Sequence, residues 1–311
     1  MGVIHPPKRG DMFERYADWE YTCAAFQLVA FMLAMGAKLV PAQFLHVLRK
    51  PRSFLVALAG HLLIIPLVAM AVNHVAGLDT GLAVGLILVA AMPGGTLAKI
   101  FTYFGHGNVP LSITLSGVST LLTLVTVPLM LRLLTREMPE NIDLPVPKIV
   151  AEVALYLLLP IVLSMALCRR YPFLKKPLSS WGVRAGLLVV VFMVIGSLAS
   201  GRIQPGTYGW RAPLAIIFFC VLGQQINQVP FYVFHWPRTD RLAAGMEVTM
   251  RNMNLALLLY ASLFADNQHI APEVLFVLLF YAATAMIVGL PLALRHRRLG
   301  RKEKTKASYS S

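Results

Sequence analysis

Apolar runs of about twenty residues recur along the whole chain. As a helix, a run of that length rises roughly 30 Å, the thickness of a bilayer's hydrocarbon core. A backbone in lipid must satisfy its own hydrogen bonds, so such runs are helices. They lack the strict apolar–polar alternation of a membrane β-barrel. Composition agrees, with 57% hydrophobic and only 14% charged residues, against about 25% charged in a soluble domain. Nine spans are expected, at about 22–39, 53–76, 80–104, 109–135, 146–168, 178–199, 210–235, 240–264 and 273–295. No long linker or low-complexity segment separates them. The expectation is therefore an all-α membrane protein with one transmembrane domain (22–297), a polar N-terminal arm (1–21) and a polar tail (298–311).

The formal net charge is +14. Most of the excess lies in loops and tail, with no zinc-finger or basic helix-turn-helix pattern. It therefore points to membrane orientation and contact with anionic lipid, not to nucleic acid. Arg49, Lys50 and Arg52 follow the first span, and Arg169, Arg170, Lys175 and Lys176 follow the fifth. Arg238 and Arg241 flank the eighth, and the tail carries Arg295, Arg297, Arg298, Arg301, Lys302, Lys304 and Lys306. With nine spans these fall on one side, opposite Glu137, Glu140, Asp143, Asp266 and Glu273. The positive-inside rule then puts the N-terminus outside and the C-terminus in the cytoplasm of a multi-pass inner (plasma) membrane protein. The start lacks the apolar core of a signal peptide. Cys23, Cys168 and Cys220 are scattered and odd in number, which argues against a disulfide framework, and no metal-ligand spacing is present.

Two spans carry polar chemistry at depth. The third contains Pro93-Gly94-Gly95, which reads as a kink or, more sharply, as a break whose half-helix ends face a ligand at mid-membrane. Thr96 follows as a cap and substrate contact, and Lys99 either snorkels or meets the eighth span. The fourth span has a polar face that includes Asn108, Ser112, Thr114, Ser116, Ser119, Thr120 and Thr123. Some of these hydroxyls are expected to bond back to their own helix. The eighth span contains "MEVTMRNMN", with Glu247 and Arg251 four residues apart. On a continuous helix they would form a self-neutralising pair. Arg251, Asn252 and Asn254 offer more hydrogen-bonding groups than such a pair needs. Lys99, Glu247 and Arg251 sum to +1, which favours an organic anion. His61 is either a satisfied core histidine or a protonatable member of the site. Glu152 and Arg184 read as interfacial, and Trp19, Tyr21, Trp181, Trp210 and Trp236 as an aromatic belt. His61 and Gln225 each stand five residues before a proline, in the second and seventh spans. Those spans run in opposite directions, as in the inverted repeat of secondary transporters.

The stretches "PGGTLAKIFTYFGHGNVPLSITLSGVSTLLT" (Pro93–Thr123), "FMLAMGAKLVPAQF" (Phe31–Phe44) and "MEVTMRNMNLAL" (Met246–Leu257) resemble the bile acid:sodium symporter family, in the right order over nearly the whole chain. The resemblance implies a core (about 53–135 and 210–297) with two crossing discontinuous helices, and a smaller panel (about 22–39, 146–168 and 178–199). It implies sodium-site positions at Ala98, Lys99, Ser112, Ser116, Glu247, Arg251 and His61, and substrate contacts at Thr96 and Asn252. Three positions depart from the family pattern. Ala98-Lys99 stands for a serine-asparagine pair, Arg251 for a glutamine, and His61 for a glutamine. Both cation sites therefore lose oxygen ligands and gain positive charge. The expectation is a sodium-independent, facilitative or secondary active transporter of small organic anions, using no cofactor or metal. Substrate would be held by Thr96, Lys99, Asn252, Arg251, Asn254 and His61. Protons carried by His61, Glu247 or Lys99 are an alternative driver. A conventional sodium-coupled symporter, or a channel or sensor, is the competing reading. An enzyme is not expected, since HExxH, GxSxG and paired intramembrane aspartates are absent. Oligomeric state is left open.

Overall fold

The computed structural model describes residues 16–39, 51–134, 145–199, 208–264, 267 and 269–309. Among them are seven unbroken helices and two pairs of half-helices, which coincide with the nine expected spans. In chain order these are α1 (Tyr16–Gly36), α2 (Pro51–Ala76), the pair α3 (Thr80–Ala91) and α4 (Thr96–Phe104), and α5 (Val109–Leu134). There follow α6 (Val146–Arg170), α7 (Lys175–Ala199), α8 (Arg211–Val233), the pair α9 (Arg238–Thr249) and α10 (Met253–Leu263), and α11 (Ala271–Tyr309). Five of the helices (α2, α5, α6, α8 and α11) are each long and apolar enough to cross a membrane unaided. The half-helices α3 and α10 are apolar but short. The molecule is an all-α, multi-pass membrane protein.

Local chemistry explains where the helices deviate. Within α2 the turn Gly60–Ile64 widens to a π-helix, and within α6 the turn Val153–Leu158 does the same. Each stretch ends just before a proline, Pro66 or Pro160. Proline has no N–H to give the carbonyl four residues back, so the preceding turn relaxes outward. Gly60 opens the first of these turns because a Cβ there would overlap the Asn227 amide of α8.

α1 packs on α6, α7 and α10, while α3 packs on α2, α5 and α11. Symmetrically, α9 packs on α4, α5, α8 and α11. Both broken helices thus lie inside the bundle, and all but one residue of α3 is buried.

Both ends of the chain depart from expectation. α1 begins at Tyr16, inside the stretch expected to be an arm. Within that stretch Trp19 is exposed but Glu20 is buried, and just beyond it the Tyr21 hydroxyl donates to Glu152 at 3.2 Å. α11 continues to Tyr309, through the expected tail, because Arg, Lys, Glu and Ala are strong helix formers even outside lipid. The rest of the arm (1–15) and the loop residues Arg49, Lys50, Glu137, Glu140, Asp143 and Asp266 lie outside the described residues.

Candidate site at the crossing of two broken helices

Pro93-Gly94-Gly95 does break its helix. α3 ends at Ala91, and Met92 and Gly95 have extended backbones before α4 begins at Thr96. The second break, Met250–Asn252, holds neither proline nor glycine. Its mark is Asn252, whose side-chain oxygen accepts from the Leu255 N–H at 3.2 Å and caps α10. The two breaks cross as a single antiparallel bridge between Gly94 and Arg251. The Gly95 N–H donates to the Met250 carbonyl (2.7 Å), and the Asn252 N–H donates to the Pro93 carbonyl (2.8 Å). Backbone groups released by each break are thereby satisfied by the other, as a buried crossing requires. The glycines permit the approach. A Cβ on Gly95 would press on the Met250 and Arg251 carbonyls, and one on Gly94 would overlap the Glu247 carboxylate.

Two cationic groups sit at this crossing, each in its own nest of acceptors. The Lys99 ammonium donates to the Ser116 hydroxyl (2.8 Å) and to the Gly95 carbonyl (3.1 Å). Ser116 in turn donates to Glu247 Oε2 (2.6 Å), and Ser112 donates to Glu247 Oε1 (2.5 Å). The ammonium and the buried carboxylate are therefore joined through one hydroxyl. Lys99 is half-buried and turned into the site; it does not snorkel to the surface.

Arg251 faces the other way. Its Nη1 donates to the carbonyls of Met92 (2.7 Å) and Ala90 (3.2 Å), and its Nε to the carbonyl of Val248 (3.0 Å). These carbonyls lie at the C-terminal ends of α3 and α9, where the helix dipole leaves partial negative charge. The guanidinium thus neutralises both half-helices at once. Nη1 also lies 3.2 Å from His61 Nε2. Nη2 of Arg251 and the Thr96 hydroxyl are buried without a hydrogen-bond partner.

The Glu247–Arg251 pair that a continuous helix would allow does not form. The helix ends between them, so Glu247 turns to α5 and Arg251 to α3 and His61. Ala98 is fully buried and offers no ligand atom; Asn254 is half-buried in the first turn of α10. Of the α5 hydroxyls, Thr114, Ser119 and Thr123 bond back to the carbonyls of Pro110, Ser116 and Thr120, as expected for part of that face. Gln225 does not mirror His61. It is exposed on α8, while its neighbours Gln224, Asn227 and Gln228 are buried.

Several members of the site escaped sequence reasoning. Tyr281 of α11 donates to the carbonyls of Val248 (3.2 Å) and Thr249 (3.0 Å), closing the end of α9. Gln224 donates to the Thr249 hydroxyl (3.0 Å), which bonds back to the Gly245 carbonyl. Asn227 donates to the Ala244 carbonyl (2.9 Å). A tyrosine ten residues inside an apolar span was the available signal, since a buried phenol needs a partner. Glu152, expected at the interface, is instead buried, accepting from Tyr21 and from Ser262 (2.6 Å) between α1, α6 and α10.

A family model described as the sodium bile acid symporter family matches residues 25–200, more than half of the chain. The chain belongs to that family. Among individual relatives, an uncharacterised sodium-dependent transporter, YocS, of Bacillus subtilis (strain 168) is 33% identical over 128 residues, covering 41% of this chain and 40% of the relative. The probable sodium/metabolite cotransporter BASS2, chloroplastic, of Oryza sativa subsp. japonica is 27% identical over 233 residues, 72% of this chain and 54% of the relative. The ileal sodium/bile acid cotransporter of Cricetulus griseus is 27% identical over 179 residues, 57% of this chain and 51% of the relative. The chain thus spans about half the length of these relatives.

Proposed function

We propose that the chain is a secondary transporter of organic anions that does not use sodium, with Lys99 and Arg251 standing as tethered cations at the helix crossing. The observation that carries this reading is the pair of nests. Ser112, Ser116 and Glu247 present hydroxyl and carboxylate oxygens, and Ala90, Met92 and Val248 present carbonyl oxygens. Both sets would suit a hard cation such as sodium, but each is already engaged by a protein cation. An ammonium about 4 Å from a sodium ion opposes it by roughly 4 kcal/mol at an effective dielectric of 20. The residues present therefore do not fit the ion. With Lys99, Glu247 and Arg251 summing to +1, an anionic substrate restores neutrality. Thr96, Asn252, Asn254 and the unpaired Arg251 Nη2 are the groups available to meet it.

In this reading α1, α6 and α7 form the panel, and the remaining helices form the core against which it rocks. The N-terminus is outside, the C-terminus is cytoplasmic, and the chain sits in the inner (plasma) membrane without enzymatic activity. Sodium coupling is the second reading, favoured by the names of the relatives YocS, BASS2 and the ileal cotransporter and by the intact Ser112–Glu247–Ser116 set. Uptake into proteoliposomes separates the two. Labelled bile acid and keto acids are supplied with sodium or choline outside. Saturable uptake of at least one anion at equal rate in both salts is expected; uptake that requires the sodium gradient contradicts the proposal.

A further inference from the structure

A cavity of about 680 Å³ opens between the end of α1, the start of α7 and α4. Four cationic side chains line it (Lys38, Lys175, Lys176 and Arg184), together with the hydroxyl-bearing Ser179 and Ser180. Among the described residues that line it, none is acidic. α7 begins here, and its first turn holds two lysines and no acid. Cations at a helix N-terminus oppose the dipole, whereas an anion there is favoured by dipole and side chains together.

The cavity's surroundings indicate the depth at which it lies. Trp181 is 67% exposed one residue past Ser180, with the Arg184 guanidinium 5.7 Å from its ring centre. Arg170 stacks similarly on exposed Tyr171 at the end of α6. Such aromatic–cation pairs mark the headgroup layer. From Arg184 the same face of α7 continues through Leu188, Val191 and Ile195, all exposed and apolar. The eleven steps from residue 184 to residue 195 rise about 16 Å, close to one leaflet of a roughly 30 Å hydrocarbon core. A charged pocket at headgroup depth, leading onto an apolar track one leaflet long, matches a phospholipid in both its parts.

We propose that this cavity binds the phosphate headgroup of an anionic phospholipid, with an acyl chain along α7. Ile100, adjacent to Lys99 in sequence, forms part of the wall opposite α1 and α7. The lipid therefore touches α4, which carries Lys99, as well as α7 and the residues just after α1. The inference does not rest on the transport reading, and its test requires no transported substrate.

The test is thermal unfolding of the purified chain in detergent, with phosphatidylglycerol, phosphatidylcholine or inorganic phosphate added. Phosphatidylglycerol is expected to raise Tm by about 2–4 °C, while the other two leave it unchanged. The variant Lys38→Gln/Lys175→Gln/Lys176→Gln/Arg184→Gln loses that rise. A control removing four tail charges, Arg298→Gln/Arg301→Gln/Lys302→Gln/Lys304→Gln, keeps it. Retention of the full rise in the pocket variant, or its equal loss in the tail variant, overturns the proposal. A rise of equal size with inorganic phosphate overturns the lipid assignment. Should the fourfold variant fail to fold, Arg184→Gln and Lys175→Gln singly are compared with parent by native mass spectrometry. Fewer retained phosphatidylglycerol molecules are expected, and unchanged retention contradicts the site.

Discussion

At the scale of single residues, the site is held by contacts with no slack. Gly94 faces the Glu247 carboxylate so closely that Gly94→Ala must displace either the carboxylate or the bridge. Overpacking of this kind costs about 1–3 kcal/mol, and a fall in Tm with loss of uptake is expected. Tyr281→Phe leaves the packing and removes one hydroxyl from two carbonyls at the end of α9. Leaving buried acceptors unpaired costs about 1–3 kcal/mol, which thermal unfolding reads directly. Lys99, Glu247, His61 and Arg251 were visible in the sequence because ionisable groups at membrane depth demand a reason. Their partners were not. Spacing alone paired Glu247 with Arg251, whereas the break between them sends each to a different helix.

At the scale of elements, the chain advertised one break and concealed the other. Pro93-Gly94-Gly95 announces itself, but Met250–Asn252 relies on long-range pairing with Pro93 and Gly95 and on a single cap. Asn252→Ala is expected to destabilise α10 by about 0.5–2 kcal/mol, and Asn252→Asp to recover most of it as an N-cap. Comparison of the two variants by unfolding midpoint checks this, and equal losses would argue against capping as the residue's role. The two prolines that follow π-turns, Pro66 and Pro160, show how a sequence feature fixes local geometry. The start of α1 and the extension of α11 were illegible for a different reason. Hydropathy reports lipid contact, and polar helical turns give no such signal.

At the scale of the whole molecule, the helical segments were legible because bilayer thickness leaves an apolar chain few alternatives, and five of them are long and apolar enough to cross unaided. Orientation is a separate prediction. With odd span count and positive-inside loops, a green fluorescent protein fused after Ser311 should fluoresce in cells, and an alkaline phosphatase fused there should be inactive. The central claim is that protein-borne cations take the place of free ones at the helix crossing. Its most direct test is the unfolding midpoint of the purified chain in sodium chloride against choline chloride, beside the Lys99→Asn/Arg251→Gln variant. The parent should unfold at the same temperature in both salts, and the variant should be stabilised by sodium. Specific stabilisation of the parent by sodium would contradict the account.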